Sequence, residues 1–354
     1  MLRDFGLPDA GDPADLGVDA GMDAGTDIGV DMGDMGRDFG AGCDGPPGLY
    51  LDEACSILAP GVRAYEPTYW LWSDGTGKER YVLIPEGSTI DTTNPDEWIY
   101  PLGTTFWKTF LVGEQRVETR IYRKDREGVG VARWVAETYA WDGAGTSASL
   151  VLDGREDTLG TDHDIPTPAQ CVQCHNGGGA LDQVLGFGTI QLDHERPGSL
   201  NLAAMNEEGL LAPPVVAGMG SVPGDATVSE ALGYLHVNCG MCHGGTAPQA
   251  GMALRLDVGA ARAADTPAYR TAVGETRPIP SGFIFEPDPE AGTPGAFFRV
   301  VGGAPLESTL FRRMSVRDGA DMVQMPPVGT EITDPEGLAI VRSWIEGLPR
   351  RAEP

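Results

Sequence analysis

Between residues 60 and 160, apolar and polar positions alternate over short stretches that are rich in aromatic and β-branched residues. This pattern predicts β-strands. The predicted strands are 79–84, 104–112, 117–123, 129–141 and 149–152. Turn-forming pairs such as Asp142-Gly143 and Asp153-Gly154 separate them. Regular short strands with turns of this kind predict an antiparallel sheet or a small sandwich.

After residue 165 the apolar positions take a helical spacing. Residues 199–211 predict a short helix. A second helix is predicted to start at Asp225 or Thr227 as its N-cap and to run into a cysteine-containing stretch. Its apolar stripe consists of Val228, Leu232, Leu235 and Cys239.

The last predicted helix begins with Asp334 as its N-cap and Pro335 at the first helical position. Its apolar stripe consists of Leu338, Val341, Ile345 and Leu348, with Trp344 beside it. Gly347-Leu348-Pro349 is predicted to end it. The order of elements is therefore a β-rich part followed by a mainly helical part.

Residues 9–42 repeat Asp about every four positions with Gly between, and no apolar face of useful size forms. Such a segment cannot offset its own ordering entropy, so it predicts a flexible tether. Asp-Gly repeats that bind calcium have a nine-residue period, which makes a calcium-binding β-roll the less favoured alternative. Tethers of this kind commonly separate a lipid anchor from a folded body.

The chain has 354 residues, 41% of them hydrophobic, and a formal net charge of −27. The acidity argues against nucleic acid as a partner, because a phosphate backbone would be repelled. It suits a basic or weakly charged protein partner, or simply a solvated acidic surface. No stretch approaches the roughly 20 apolar residues needed to span a bilayer, and no signal peptide is visible.

Four of the six cysteines lie in two short stretches, Cys171-Val172-Gln173-Cys174-His175 and Cys239-Gly240-Met241-Cys242-His243. Both have the form C-x-x-C-H, which is the attachment signature of covalently bound c-type haem. Two thiols one helical turn apart each add to a vinyl group of the porphyrin, and the histidine that follows becomes the proximal iron ligand. The predicted cofactors are two haem c groups. The predicted cofactor-binding residues are Cys171, Cys174, His175, Cys239, Cys242 and His243, with His175 and His243 as iron ligands.

Other uses of these cysteines are weaker interpretations. A zinc ribbon spaces its two C-x-x-C pairs by about 15–20 residues, whereas Cys174 and Cys239 are 65 positions apart. A thioredoxin-type redox pair needs a βαβ context, which the pattern does not predict. The remaining cysteines, Cys43 and Cys55, suit a disulfide in an oxidising compartment, with two buried thiols as the alternative.

The sequence offers several candidates for the sixth iron ligands. Met325, in Met325-Pro326-Pro327 before the last helix, is the predicted ligand of the second iron, although a lone Met is usually a core residue. The candidates for the first iron are His163, His194, Met205, Met219, His236 and Met252. His236 stands three positions before Cys239, so on a continued helix it would ligate the other iron, hold a propionate or simply pack. A five-coordinate first iron, open to a small ligand, is the remaining alternative.

Further stretches occur in a fixed order around the two motifs. They are Leu71-Trp72-Ser73-Asp74-Gly75 with Lys78, Ile84-Pro85-Glu86-Gly87, Pro101-Leu102-Gly103-Thr104, Glu118-Thr119-Arg120, residues 165–175 and residues 234–243. In these pieces the chain resembles a family of largely uncharacterised extracytoplasmic two-haem c-type cytochromes from bacteria. The resemblance implies haem binding and electron transfer after export, sometimes with a lipid anchor, and it supplies no substrate.

The predicted fold class is α+β and multidomain, with an N-terminal antiparallel, sandwich-like β domain followed by a mainly α-helical cytochrome c-type region. The predicted segments are a disordered tether (1–45), a β-rich domain (46–165), a first haem segment packed on its neighbours (166–225) and a second haem domain (226–354).

The predicted function is electron transfer between redox partner proteins in the periplasm or at the outer membrane or cell surface. Membrane contact would occur only through a lost N-terminal anchor, because the expected export signal is missing from this start. One alternative is a peroxidase- or oxidase-like haem enzyme whose first haem is open to a small ligand. Another is a β domain that binds a carbohydrate or a partner.

Overall fold

The computed structural model describes residues 43–175, 182–244, 251–274, 298–317 and 324–350. These residues belong to one compact unit, Ala41–Pro354. The predicted tether, apart from its last three residues, lies outside the described residues. The fold is α+β, as the sequence predicts. The division of residues 46–354 into three segments stays a prediction.

The described strands are β1 (Arg63–Ala64), β2 (Gly77–Leu83), β3 (Ile90–Asp91), β4 (Thr105–Val112), β5 (Gln115–Lys124), β6 (Trp134–Trp141), β7 (Ala148–Val151) and β8 (Leu211–Ala212). Six of them form one sheet in the order β1-β2-β4-β5-β6-β7, and all neighbours in it are antiparallel. β3 and β8 form a short parallel pair. The longest strands agree with the predicted stretches.

One strand starts later than the sequence predicts. β6 begins at Trp134, whereas the predicted strand began at residue 129. Gly128 and Gly130 adopt positive φ angles of 99° and 92°, and Val131–Arg133 form a single 3-10 turn. Glycine enters this region of backbone conformation without steric cost, so these residues form a turn and do not extend the strand.

The described helices are α1 (Pro168–His175), α2 (Thr189–Leu192), α3 (Leu202–Glu207), α4 (Ala226–Asn238), α5 (Pro267–Ala272), α6 (Thr309–Met314) and α7 (Pro335–Gly347). The predicted N-caps are confirmed for the two longest. Asp225 accepts a hydrogen bond from the N–H of Val228 at 3.0 Å, and Asp334 accepts one from the N–H of Gly337 at 2.9 Å. Among the described helices, none has the length and apolar character needed to cross a membrane.

The main sheet is covered on both faces. On one face, Trp107, Ile121 and Trp141 pack against the chain before β1, where a Cys43–Cys55 disulfide closes a short loop. The predicted disulfide is therefore confirmed. The other face packs against the segment that contains α2 and α3. In the described part of the chain, helices and loops rather than a second large sheet complete the layers.

A second core lies among the helices. α4 packs against α7, and their apolar stripes meet other helical residues in one cluster. The members of this cluster from the two helices are Ala231, Leu232, Leu235, Val341, Trp344 and Ile345. Gly337 lies so close to Tyr234 that a Cβ at this glycine would fall 2.3 Å from the tyrosine hydroxyl. The missing side chain therefore allows the two helices to approach, and α4 carries the second C-x-x-C-H motif at its end.

Candidate functional site

The first C-x-x-C-H motif forms the end of α1. Cys171 and Cys174 lie one helical turn apart, on the same side of this helix, and both are half-buried free thiols. Burial raises the pKa of both thiols, that of Cys174 to about 11. Both are therefore protonated at neutral pH. Their spacing is the one that two thioether bonds to a single porphyrin edge require.

His175, the last residue of α1, has one ring nitrogen fixed. Its Nδ1 lies 2.9 Å from the carbonyl oxygen of Gln183, and because a carbonyl only accepts, Nδ1 carries the proton. The ring packs against Tyr122 of β5, with the ring centroids 4.2 Å apart. Burial lowers the pKa of His175 to about 4, so the imidazole is neutral at pH 7. This tautomer places the lone pair on Nε2, where a metal ligand needs it.

The second motif forms a turn after α4. The sequence predicted a helix running into this motif, and α4 does so, but it ends at Asn238 and Cys239 leaves helical geometry. The N–H groups of Cys242 and His243 bond back to the carbonyl of Cys239 at 3.2 and 2.8 Å. Burial raises the pKa of Cys239 to about 12. The turn places both thiols before a histidine, as in the first motif.

The buried ring of His243 is held in the same way as that of His175. Its Nδ1 lies 3.2 Å from the carbonyl oxygen of Met252. The accepting carbonyl follows the histidine by nine residues here and by eight residues in the first motif. Two separate segments of the chain thus orient a motif histidine through a backbone carbonyl, which sets the same tautomer in both.

Gln183 joins the two motifs. Its side-chain nitrogen donates to the carbonyl of Cys174 at 2.7 Å and to the carbonyl of Met241 at 3.1 Å. The backbone carbonyl of Gln183 accepts the hydrogen bond from Nδ1 of His175. One residue therefore contacts the backbone of both motifs and the ring of one motif histidine.

The residue before Gln183 is anchored in the β-rich part. The fully buried carboxylate of Asp182 forms an ion pair with Lys124, which is itself 2% exposed. It also accepts from the indole N–H of Trp134 at 3.0 Å and from the N–H of Gly130 at 3.1 Å. A buried carboxylate that is paired and hydrogen-bonded in this way holds its backbone in place. Gln183, and through it His175, is positioned by the sheet.

A cavity of about 740 Å³ lies among α1, the sheet and residues 324–331. Cofactor and ligand sites typically have volumes of about 300–1,000 Å³. Cys171, Cys174 and His175 line one side of it, and Met241 of the second motif also reaches it. The aromatic and apolar residues of its wall include Tyr65, Leu71, Trp72, Phe106, Phe110, Tyr122, Val184 and Leu185. This part of the wall suits the flat apolar face of a porphyrin.

Residues 324–331 form one border of the cavity and are held by several hydrogen bonds. The side chain of Gln324 donates to two carbonyls of this segment, both at 3.2 Å. The carboxylate of Asp74 accepts from the N–H groups of Glu331 and Ile332 at 3.0 and 2.9 Å. This border is therefore tied to the chain that precedes β2.

Met325, the predicted ligand of the second iron, is half-buried in the same segment. Its N–H bonds to the carbonyl of Arg313, in α6, at 3.0 Å. α6 belongs to the helical core against which Cys239 packs. Pro326 and Pro327 line the cavity at the first motif instead. Met325 thus lies beside the core that carries the second motif, and its role as a ligand stays a prediction.

Three polar side chains form a network on the cavity wall. The buried carboxylate of Glu118 accepts from Arg120 at 2.6 and 2.9 Å and lies 2.7 Å from Nε2 of His163. Burial alone would raise the pKa of Glu118, but Arg120 and His163 outweigh it and hold this pKa below its ordinary value. Arg120 and His163 both line the cavity. His163, a candidate ligand, therefore has its Nε2 engaged by a carboxylate.

His236 does not line the cavity at the first motif but borders a smaller one of about 110 Å³. Its Nδ1 accepts a hydrogen bond from the N–H of Leu256 at 3.0 Å, which leaves the proton on Nε2. Burial lowers the pKa of His236 to about 3. A ring with one nitrogen engaged as acceptor and the other protonated is poorly prepared to bind iron, so this contact favours a packing role.

The remaining candidates for the first iron have structural contacts of their own. His194 uses both ring nitrogens, with the carbonyl of Glu66 at 2.7 Å and the N–H of Arg196 at 3.2 Å. The methionines Met205, Met219 and Met252 are buried in, or packed against, the two hydrophobic cores. These positions fit the ordinary use of Met as a core residue.

Within the described ranges, no three His, Cys, Asp or Glu side chains converge in a way that would hold a metal ion. Haem c is held by thioether bonds to the porphyrin and by a histidine on the iron, so a haem site does not have to form such a cluster. The haem and zinc interpretations both stay predictions.

Two residues of the site were missed by sequence reasoning. Lys108 lies in the cavity wall at the centre of β4. The sequence signal for it is a lysine between Trp107 and Thr109 in a strand whose other residues are mostly buried. No sequence signal identifies Gln183, because its role depends on hydrogen bonds to two motifs that are far apart in sequence.

Comparisons of the chain with protein-family models, with curated proteins and with solved structures gave no match.

Proposed function

We propose that this protein is a two-haem c-type cytochrome that transfers electrons between redox partners outside the cytoplasm. The observation that carries this proposal is the repeated arrangement at the two motifs. In each, two partly buried thiols precede a histidine whose Nδ1 faces a backbone carbonyl. Histidines that bind metals are commonly oriented through their other ring nitrogen in this way.

The residues fit the cofactor. Cys171 and Cys174 would hold the first haem by thioether bonds, and His175 would bind its iron through Nε2. Cys239, Cys242 and His243 would hold the second, with Met325 as the proposed sixth ligand. When bound, a haem iron takes up and releases one electron. The apolar wall of the large cavity supports this assignment, because it would exclude water from the porphyrin face.

The closeness of the two motifs supports transfer between two cofactors. Gln183 bonds to both motif backbones. The pKa of the Cys174 thiol is raised first by burial and next by the neighbouring Cys242 thiol, which belongs to the other motif. Attachment points this near one another would hold the two haems side by side. This arrangement of Cys174 and Cys242 suits two cofactors that exchange electrons directly.

The proposed location is the periplasm or the outer membrane or cell surface. The Cys43–Cys55 disulfide suits an oxidising compartment. The net charge of −27 suits a basic or weakly charged redox partner. The resemblance to exported two-haem cytochromes points the same way.

A haem enzyme is the alternative, and one observation favours it. The network of Glu118, Arg120 and His163 places a cationic and an imidazole side chain on the wall of the first-motif cavity. Groups of these kinds are suited to moving a proton and stabilising charge on a small ligand such as peroxide. The alternative requires that the first iron keep an open position.

The test is expression with an export signal and the haem c maturation machinery, followed by mass spectrometry and a reduced optical spectrum. A mass gain of two haems and a c-type spectrum are expected. Replacing Cys171 and Cys174 together with Ser is expected to remove one haem, and so is replacing Cys239 and Cys242. The matched control replaces two cysteines outside the motifs, Cys43 and Cys55, and is expected to keep both haems.

A protein that binds zinc and no haem would end the proposal. Turnover of peroxide, together with a high-spin haem that binds cyanide in the intact protein, would favour the enzyme instead. Two low-spin haems with no such turnover support the electron carrier.

A further inference from the structure

Lys108 stands in the middle of a row of cations across the sheet. In the antiparallel register, Lys108 of β4 lies opposite Arg80 of β2 on one side and Arg120 of β5 on the other. Directly opposed residues point to the same face of a sheet, and like charges in such positions destabilise it. The repulsion among the three cations would be reduced if one of them lost its proton or if a bound group supplied a negative charge.

The two arginines of the row differ in their contacts, and the terminal nitrogens of the buried Arg80 have no hydrogen-bond partner among the described residues. Arg120 forms a bidentate ion pair with Glu118. The guanidinium of Arg80 lies over the ring of Trp70, with 5.3 Å between its central carbon and the ring centroid. Guanidinium groups do not lose their proton in proteins. Any change of charge within the row must therefore occur at the lysine.

The ammonium group of Lys108 has no such neighbour. In the described parts of the chain, it makes no hydrogen bond or ion pair with another residue. The other two lysines of this region differ, because Lys124 pairs with Asp182 and Lys78 donates to the carbonyl of Thr76 at 3.0 Å. Burial first, and Arg80 and Arg120 next, lower the pKa of Lys108 well below its ordinary value. Without its proton, an amine nitrogen has a lone pair that a metal ion can accept.

Lys108 also lies where such a lone pair is useful. It lines the same cavity as Cys171, Cys174 and His175. The sequence left the sixth ligand of the first iron open. The imidazole of His163 faces a carboxylate and His236 lies at another cavity. Lys108 is a nitrogen donor in this cavity without a competing partner among the described residues.

We propose that the side-chain amine of Lys108 is the sixth ligand of the iron held at Cys171-Cys174-His175. The inference rests on the proposed function, because it needs a haem at the first motif. It makes the first haem a six-coordinate, low-spin site with two nitrogen ligands. Such a site would transfer electrons and would be closed to small ligands, in contrast to the enzyme alternative.

The experiment uses the full chain with both haems and compares Lys108→Arg and Lys108→Leu, neither of which can bind iron, with the unchanged protein. Electron paramagnetic resonance and near-infrared magnetic circular dichroism report the spin state and the axial ligands of each oxidised haem. Two low-spin haems are expected in the unchanged protein, one of them with the amine–imidazole signature. In both variants one haem is expected to become high-spin and to bind added cyanide at least ten times faster.

Lys108→Arg separates ligation from charge. Arginine keeps the positive charge that a porphyrin propionate would need, but it does not bind iron. Lys78→Leu is the matched control, since it removes a neighbouring lysine from the same face of the sheet, and its spectra are expected to match those of the unchanged protein.

Two results would overturn the inference and leave the proposed function standing. One is a two-haem Lys108→Arg protein with unchanged low-spin spectra, which would make Lys108 a charge partner. The other is a first haem that is already high-spin in the unchanged protein, a measurement that needs no variant to fold. Absence of haem from the mass of the unchanged protein would instead end the proposed function itself.

Discussion

The side-chain amide of Gln183 donates to the carbonyl of Met241 at 3.1 Å, so a residue held on the first C-x-x-C-H motif reaches into the second. The same nitrogen donates to the carbonyl of Cys174 at 2.7 Å. The backbone of Gln183 is held in place, because the neighbouring Asp182 forms an ion pair with Lys124 of the sheet. The spacing of the two motifs therefore depends on a side chain that belongs to neither.

Replacing Gln183 with Ala is expected to lower the free energy of unfolding by about 1–3 kcal/mol, because two partly buried carbonyls lose their donor. The backbone contact to His175 remains, so both haems are expected to stay attached. Urea unfolding of the two-haem protein measures the first effect, and mass spectrometry the second.

Gln170→Ala is the control for Gln183→Ala. The Gln170 side chain also belongs to the first-motif helix, and it accepts from the N–H of Thr167 at 2.8 Å without reaching the second motif. Its replacement is expected to leave the spectrum of the second haem unchanged, whereas Gln183→Ala is expected to alter the spectra of both. Identical spectra for the two variants would contradict a connecting role for Gln183.

The network around Glu118 predicts a specific dependence of stability on pH. The pKa of Glu118 in the folded protein lies below its ordinary value, so the network stabilises the fold fully above the unfolded pKa of about 4.3. This stabilisation is lost as the pH falls through the folded pKa. Glu118→Gln is expected to lower the free energy of unfolding by about 3 kcal/mol at pH 7. This is the low end of the range for a buried ion pair, because Arg120 is 32% exposed.

The measurement for Glu118→Gln is urea unfolding between pH 7 and pH 3. The difference between the unchanged protein and the variant is expected to be constant above about pH 5 and to shrink below it. Glu114→Gln, at an exposed turn beside the same strands, is expected to show no such difference. If the difference in unfolding free energy between the two proteins persisted down to pH 3, the carboxylate charge of Glu118 would not be what stabilises the fold.

Much of this fold follows from local sequence patterns. Strand alternation predicts β2, β4 and β5, and Asp225 and Asp334 mark the starts of α4 and α7, because each of these features acts over only a few residues. The two motifs and the Cys43–Cys55 pairing are likewise visible as cysteine spacing.

What the sequence did not give is the arrangement of residues around the cavity. Lys108, Arg120 and His163 share the cavity wall only because β4 and β5 pair in one register and a later loop folds over them. The candidate role of His236 rested on a helix continuing through the second motif, and α4 ends before it. Side-chain partners of this kind are tertiary contacts, which spacing along the chain does not encode.

The approach of α4 to α7 predicts a difference between two glycines of the same helix. A methyl group at Gly337 would overlap the Tyr234 hydroxyl, whereas a Cβ at Gly347 meets no atom within 4 Å. Gly337→Ala is expected to cost about 1–3 kcal/mol of unfolding free energy through overpacking. Gly347→Ala is expected to be neutral or to stabilise by up to about 1 kcal/mol. Thermal unfolding of the two variants checks this, and equal effects would contradict the close approach.

The proposed ligand of the second iron predicts the behaviour of Met325→Ala. Met/His coordination raises the potential of a haem, so loss of the thioether is expected to lower the potential of one haem and leave the other unchanged. The affected iron is expected to bind added imidazole or cyanide. Redox titration followed in the visible spectrum measures both.

Met205→Ala is the control for Met325→Ala. Met205 is a fully buried methionine in the core beside the sheet, so its truncation is expected to cost about 2–5 kcal/mol of stability without moving either potential. If Met325→Ala leaves both potentials and the ligand binding unchanged, Met325 is not the ligand. The half-buried position of this methionine beside Arg313 would then be explained by packing alone.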